Sequence, residues 1–202
     1  MVRPTHRRLN GASGLSMTAM LLSLVASLVT AQPAEKPAPS ASASAAAQSA
    51  DAAYRKGQDF EKEQNYAEAM RWYRVAAAQG NALAQMRIGG LYGDGHGVPQ
   101  DYGEALRWFR LAAAQGNSGA QNNIGMFYMQ GLGVAQDYGQ ALSWFRKAAD
   151  QGHAVAQRNI GFLYFKGLGP APDRSEAIRW WRKAAANGDD QAEFALKQLG
   201  EN

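Results

Sequence analysis

The stretch GLGVAQDYGQALSWFRKAA, residues 131–149, combines paired glycines, an acid, aromatic side chains and a basic pair, as an active-site loop often does. Two near copies, GHGVPQDYGEALRWFRLAA at 95–113 and GLGPAPDRSEAIRWWRKAA at 167–185, lie 36 residues before and after it. A catalytic loop is normally needed once, whereas a stacking unit is needed in every copy. The stretch therefore indicates a repeat protein, and function is expected where the copies differ.

Each repeat predicts two antiparallel helices, A and B. Asp101, Asp137 and Asp173 precede the B helices, and a Glu or Gln follows three residues later, which is the pattern of a capping box. Gly89, Gly125 and Gly161 fall in the middle of the A helices, where glycine costs about 1 kcal/mol relative to alanine. We expect these glycines to allow close approach of the B-helix tryptophan, which is Trp72, Trp108, Trp144 or Trp180.

The repeat resembles a known family. The pattern A-Q-x-x-I-G-x-x-Y-x-x-G-x-G-V-x-Q-D-Y-x-x-A-x-x-W-F-R-x-A-A-x-Q-G, complete from Ala120 to Gly152, is similar to the Sel1-like repeat, a relative of the tetratricopeptide repeat. The resemblance implies an all-α fold, a right-handed α/α superhelical solenoid closed by a C-terminal capping helix. The expected Sel1-like repeat domain spans 51–202, with units at about 51–80, 81–116, 117–152 and 153–188 and a cap at 189–199. The first unit departs from the pattern by a loop four residues shorter, as in a tetratricopeptide repeat.

The residues before the repeats predict export. Residues 1–31 combine Arg3, Arg7 and Arg8 with an apolar run at 15–29, as a signal peptide does, with cleavage expected after Ala31. A retained membrane anchor is the alternative, and membrane contact is expected only through this segment. Residues 32–50 are rich in Pro, Ala and Ser and predict a disordered linker. The expected location is therefore periplasmic or secreted, and the chain contains no cysteine for a lipid anchor or a disulfide.

The charge of the chain argues against nucleic-acid binding. The formal net charge is +4, but Arg3, Arg7 and Arg8 belong to the expected signal peptide. The remaining 18 basic and 17 acidic residues nearly balance, which leaves no electrostatic footprint for a nucleic acid.

The apparent chemistry of the repeats is better explained by structure. The Gly-x-Gly pairs lack the lysine of a phosphate loop, and the recurrent aspartates serve as helix caps. His96 and His153 stand alone, without convergent ligands for a metal. We therefore expect no catalytic residue, no cofactor and no metal site, and a protein that is not an enzyme.

The variable positions of the A helices are the candidate binding residues. They are rich in Met, Phe and Tyr, types that suit adaptable protein-binding surfaces. Met126, Met129, Phe162 and Phe165 are expected to anchor apolar side chains of a partner, with Arg158 and Lys166 orienting an acidic group. The opposing interpretation is that tight winding buries these side chains between successive A helices. The candidates are Tyr54, Met86, Asn122, Met126, Met129, Arg158, Phe162, Phe165, Lys166 and Phe194.

The sequence is compatible with three functions. The first is a non-enzymatic adaptor of the bacterial envelope that binds a partner protein or peptide in the concave groove, as the resemblance implies. The second is binding of cell wall or another anionic polymer through a basic stripe on the B helices. The third is a β-lactamase-like hydrolase, which cysteine-rich relatives suggest but the absence of cysteine disfavours. The basic stripe comprises Arg71, Arg74, Arg107, Arg110, Arg146, Lys147, Arg179, Arg182 and Lys183.

Overall fold

The described part of the chain is all α-helical, as expected. The computed structural model describes residues 41–201, and the helices of this region are joined by short turns, with no strand among these residues. The helices are α1 (Ala41–Lys62), α2 (Tyr66–Ala78), α3 (Ala82–Asp94), α4 (Tyr102–Ala114), α5 (Ser118–Gln130), α6 (Tyr138–Ala149), α7 (Ala154–Lys166), α8 (Arg174–Ala186) and α9 (Asp190–Gln198). The expected signal peptide and most of the expected linker fall on residues 1–40, outside the described residues.

The helices pack as successive pairs. Each odd-numbered A helix packs most extensively on the B helix that follows it, and each B helix then packs on the next A helix. The last helix, α9, packs on α8 and is an A helix without a following B helix within the described residues. This order is that of an α-solenoid with a C-terminal capping helix.

The first helix begins earlier than the sequence predicted. α1 starts at Ala41, whereas a linker was expected to continue to residue 50. The last ten residues of that expected linker are rich in alanine, the strongest helix former. Ala50 and Ala53 are buried whereas residues 45–49 are exposed, so the helix propensity of alanine accounts for the extension.

The B-helix caps use only half of the expected capping box. The side chains of Asp101, Asp137 and Asp173 each accept a hydrogen bond from the backbone N–H three residues later. The prediction that the Glu or Gln side chain bonds back to the backbone N–H of the aspartate is wrong. Instead, the backbone N–H of each aspartate donates to a tyrosine carbonyl of the preceding A helix at 2.9–3.0 Å. The cap therefore ties helix B to helix A, and Glu104 and Glu176 pair with arginines on their own helices.

The mid-helix glycines meet a different aromatic column from the one expected. A Cβ added at Gly89 or Gly125 would lie 2.6–2.7 Å from the ring of Phe109 or Phe145, and at Gly161 it would lie 2.6 Å from the ring of Trp181. These rings belong to the residue that follows the expected tryptophan. The physical reason is helix phase: Phe109 and Phe145 turn into the pair and are at most 2% exposed, whereas Trp108 and Trp144 are partly buried.

Candidate functional site

The inner face, which we define as the surface formed by the A helices α1, α3, α5, α7 and α9, carries two larger pockets whose linings share three equivalent positions two repeats apart. The first, the aromatic pocket, has a volume of about 350 Å³. It is lined by Met129, Arg158, Asn159, Phe162, Trp181, Gln191 and Ala195. Three of these residues, Met129, Arg158 and Phe162, were candidates from the sequence.

Trp181 forms the floor of the aromatic pocket and is firmly held there. Gly161 leaves room for its ring, and the indole N–H donates to the carbonyl of Arg158 at 3.1 Å. The ring of Phe165 lies 5.3 Å from that of Trp181, centroid to centroid. The pocket thus has a rigid aromatic base that does not need to be ordered on binding, which favours affinity.

Large apolar side chains around this pocket remain open to solvent. Phe162 and Phe165 on α7 are 39% and 38% exposed, and Phe194 on α9 is 63% exposed. The opposing interpretation, that these residues are buried between turns, therefore does not hold for the three phenylalanines. Exposed aromatic clusters of this kind are typical of protein contact surfaces.

Arg158 is committed to the scaffold rather than free for a partner. Its Nε donates to the carboxylate of Asp189 at 3.1 Å, and its Nη1 donates to the side-chain oxygen of Gln191. Asp189 is buried, so its charge needs this partner. Because its guanidinium is already paired, Arg158 is less able to orient an acidic group of a partner than the sequence predicted. Lys166 is exposed beside the ring of Phe165 and forms no salt bridge with any residue in 41–201.

The second pocket, which we call the glycine pocket, lies between α3 and α5 and has a volume of about 380 Å³. Gly90 occupies the position of Phe162, and Phe109 the position of Trp181, two repeats earlier. The absence of a side chain at Gly90 replaces an aromatic wall by open space. The pocket is lined by Gly90, Gly93, Asp94, Gln100, Tyr102, Phe109, Asn123, Phe127 and Leu132.

The equivalent position between the two pockets is filled. The amide of Asn159 donates to the side-chain oxygen of Asn122 at 3.2 Å and contacts the sulfur of Met126 at 3.4 Å. Asn122 is only 7% exposed, so its expected role as a binding residue is not supported by its position. Met126 packs on the core of the third repeat and separates the two pockets.

The remaining candidates lie at the N-terminal end of the inner face. Tyr54 accepts a hydrogen bond from Gln58 at 3.1 Å, and its ring packs 5.7 Å from that of Tyr73. The hydroxyl of Tyr73 donates to Glu61; burial, followed by this hydrogen bond, raises the pKa of Tyr73 above its ordinary value. Met86 lines a small cavity of about 110 Å³ beside Glu61. This end is polar and internally hydrogen-bonded, in contrast to the aromatic pocket.

The basic stripe on the B helices is engaged within the solenoid. Arg71, Arg107 and Arg179 pair with the glutamate three residues earlier. Arg74, Arg110 and Arg146 donate to tyrosine hydroxyls of the next A helix, at 2.9–3.4 Å. Arg182 pairs with Glu201, while Lys147 and Lys183 lie over the rings of Trp144 and Trp180. The bonds to the tyrosines and to Glu201 join neighbouring segments, whereas the glutamate and tryptophan contacts lie within single helices. Because the basic side chains of the stripe are engaged in this way, the inner face is the better candidate for recognition.

Two further properties of the described residues bear on function. Within 41–201, no group of three or more acidic or histidine side chains converges as metal ligands would. No helix in the same range is both long and apolar enough to cross a membrane.

Sequence reasoning missed part of the aromatic pocket. Four lining residues were not candidates: Asn159, Trp181, Gln191 and Ala195. Trp181 was assigned to the core because it falls in the column of Tyr73, Phe109 and Phe145. The sequence did contain one signal for Trp181: it follows Trp180 of the B-helix tryptophan column by one residue, and in the structure it faces Gly161. The pairing of Arg158 with Asp189, 31 residues away, has no signal in the repeat pattern.

Comparison with known proteins identifies the repeat. The family model of the Sel1 repeat matches residues 43–81, 82–117, 118–153 and 154–189. The first match begins at 43, close to the start of α1 at Ala41. A search of curated proteins found no significant match.

Solved structures share the fold. A protective antigen present in uropathogenic Escherichia coli strains is 36% identical with a TM-score of 0.69, over 74% of this chain and 33% of that one. A Sel1 repeat protein from Oxalobacter formigenes is 38% identical with a TM-score of 0.64, over 69% of this chain and 57% of that one. Cysteine-rich protein B of Helicobacter pylori, at 18% identity and a TM-score of 0.51, shows the likeness of fold alone. The match spans only a third of the length of the Escherichia coli antigen and somewhat over half of the length of the Oxalobacter formigenes protein.

Proposed function

The chain belongs to the Sel1 repeat family, and from that premise we propose that it is a non-enzymatic adaptor of the bacterial envelope that binds a segment of a partner protein on its inner face. Sel1 repeat proteins commonly mediate protein–protein interaction. The observation that carries the proposal for this chain is the aromatic pocket, where the exposed Phe162 lines the wall and the exposed Phe165 packs on a rigid Trp181.

The aromatic pocket suits a peptide or helix that presents apolar side chains. Met129 and Phe162 line its walls, and Phe165 and Phe194 extend the apolar surface beyond it. Burying one Leu- or Phe-sized side chain of a partner contributes about 1.5–3 kcal/mol, so two or three anchors account for a specific interaction. Apolar contact of this kind is only weakly sensitive to salt.

The test uses paired aspartate substitutions on the two faces. A photo-reactive amino acid at Asn159 captures the partner in cells that produce the protein, and the partner is then identified by mass spectrometry, purified and titrated by calorimetry. We expect Phe162→Asp with Phe165→Asp to weaken binding at least about tenfold, because a carboxylate replaces each apolar anchor. The control, Val75→Asp with Leu111→Asp, changes two residues that are 47% and 43% exposed on B helices. Equal affinity for both double variants, each shown to be folded by circular dichroism, would overturn the proposal.

The envelope location has its own test. Its support is the basic and apolar pattern of residues 1–31, with cleavage proposed after Ala31. Protein purified from the producing bacterium is expected to begin at Gln32 in N-terminal sequencing. A chain that retains Met1 or Val2 and is recovered from the cytoplasm would contradict export.

A further inference from the structure

Gly90 has no packing role in the solenoid. Its neighbour Gly89 is needed because a Cβ there would meet the ring of Phe109 at 2.7 Å. A Cβ at Gly90 would meet nothing within 4 Å. A glycine inside a helix costs about 1 kcal/mol relative to alanine, and at this position no contact offsets that cost. The structural effect of Gly90 is to leave the glycine pocket open where Phe162 walls the aromatic pocket.

The charge of the glycine pocket is acidic. Asp94 lies at its rim, and within residues 41–201 no basic side chain forms a salt bridge with its carboxylate. The nearby Arg87 is paired with Glu61, at 3.7 Å between Nη1 and the carboxylate oxygen. The rest of the exposed lining is mostly polar, with amide groups from Gln100 and Asn123, and Leu132 adds apolar surface. A carboxylate at the rim of a mostly polar cleft, beside amide oxygens that accept hydrogen bonds, fits a side chain that ends in a positive charge.

We propose that the glycine pocket receives a lysine or arginine side chain of the same partner segment whose apolar residues occupy the aromatic pocket. The cationic head pairs with Asp94 and contacts the amide oxygens of Gln100 and Asn123, and the aliphatic stem lies along Leu132. The inference rests on the proposed function and deepens it, since it assigns the partner a basic residue in addition to its apolar anchors. Lys166 at the other end of the inner face and Asp94 at this end would then fix the direction of the segment.

The test selects binding peptides from a randomised dodecapeptide library on the purified protein. Wild type is expected to enrich sequences with aliphatic or aromatic residues and a Lys or Arg at a fixed distance from them. Asp94→Asn is expected to lose the preference for the basic residue while keeping the apolar one. Its control, Asp150→Asn, alters an exposed acid at the end of α6 and is expected to leave both preferences unchanged.

A second variant blocks the pocket by shape. Gly90→Met introduces the residue that already fills the equivalent position at Met126, and it is expected to fold because the added Cβ has free space. The best wild-type peptide should bind Gly90→Met and Asp94→Asn about two- to fivefold more weakly, the scale of one partly exposed ion pair. Ala114→Met, at an exposed position of α4, is the matched control and should bind as wild type does.

The outcomes separate this inference from the proposed function. Enriched peptides with apolar anchors but no basic residue, or an undiminished basic preference in Asp94→Asn, would overturn the inference and leave the adaptor function standing. Enrichment of no sequence at all by the wild-type protein would overturn both.

Discussion

At the scale of single residues, two adjacent glycines of α3 should respond in opposite ways to the same substitution. Gly89→Ala forces a methyl group against the ring of Phe109, and overpacking of this kind costs about 1–3 kcal/mol. Gly90→Ala adds a methyl group in open space and removes the helix penalty of glycine, so it should stabilise by up to about 1 kcal/mol. Urea unfolding followed by circular dichroism measures both changes. Destabilisation by Gly90→Ala would show that Gly90 does have a packing role.

A second residue-scale prediction concerns His153, which caps α7. Its Nδ1 accepts the backbone N–H of Ala156 at 3.3 Å, where Asn81 and Asn117 perform the same role in α3 and α5. Burial lowers the pKa of His153 below its ordinary value, because the charged form is poorly solvated there. Protonation at Nδ1 also removes the acceptor and breaks the cap.

The pH dependence of stability follows from that shift. In the unfolded chain a histidine has a pKa of about 6.5. Below this pH the unfolded state therefore binds a proton that folded His153 still excludes. The free energy of unfolding therefore falls as pH drops through 6.5 toward the lower pKa of the folded state. His153→Asn should remove this part of the slope and be more stable than wild type at pH 5 by about 1 kcal/mol, the value of an N-cap. His96 remains in both proteins, so the difference between their melting curves isolates His153; identical pH profiles would contradict the assignment.

At the scale of helices, each aspartate cap of a B helix both satisfies the first turn of its own helix and bonds to the preceding A helix. Asp137 accepts from the backbone N–H of Gln140 at 2.9 Å, while its own N–H donates to the carbonyl of Tyr128 on the preceding helix. Asp137→Ala should cost about 1 kcal/mol in the free energy of unfolding through loss of the side-chain bond. Asp150→Ala, an exposed acid at the other end of α6, should change it by less than about 0.5 kcal/mol. Equal effects of the two substitutions in chemical denaturation would mean that the cap does not stabilise α6.

The sequence could predict these helices but not all of their partners. Repetition places the caps, the turn glycines and the Ala-rich columns, since each recurs at one spacing and has one physical explanation. It does not reveal which of two adjacent aromatics enters the pair, because Trp108 and Phe109 differ by 100° of helix phase. Nor does it reveal that Arg158 is held by Asp189, since that contact joins two repeats through side chains that occur once. The open positions of the inner face were predictable as variable positions, and their division into two pockets depended on Met126 filling the site between them.

At the scale of the whole molecule, the two ends of the solenoid differ from its interior in a consistent way. Lys56 and Asp59 of α1 occupy the columns of Ile88 and Leu91, which are buried against the preceding repeat. At the other end, Lys197 of α9 occupies the column of Gly161, where close approach of a B helix requires glycine. Lys56 and Asp59 are exposed, and Lys197 pairs with Glu193 at 2.6 Å. Polar residues at the ends keep surfaces that are apolar inside the stack from binding another copy.

Restoring the interior residues at the first end should therefore make the protein self-associate. Lys56→Ile with Asp59→Leu recreates on α1 the apolar face that α3 buries, and each side chain then exposes surface worth about 1.5–3 kcal/mol on burial. We expect the sedimentation coefficient of this double variant to rise with concentration over a range in which that of the wild type is constant. Lys147→Ile with Asp150→Leu makes the same chemical changes at exposed positions near the end of α6, where no interior column is restored, and should sediment as wild type does. If the two double variants associate equally, the effect comes from surface hydrophobicity in general, and the polar residues of α1 do not protect an end of the stack.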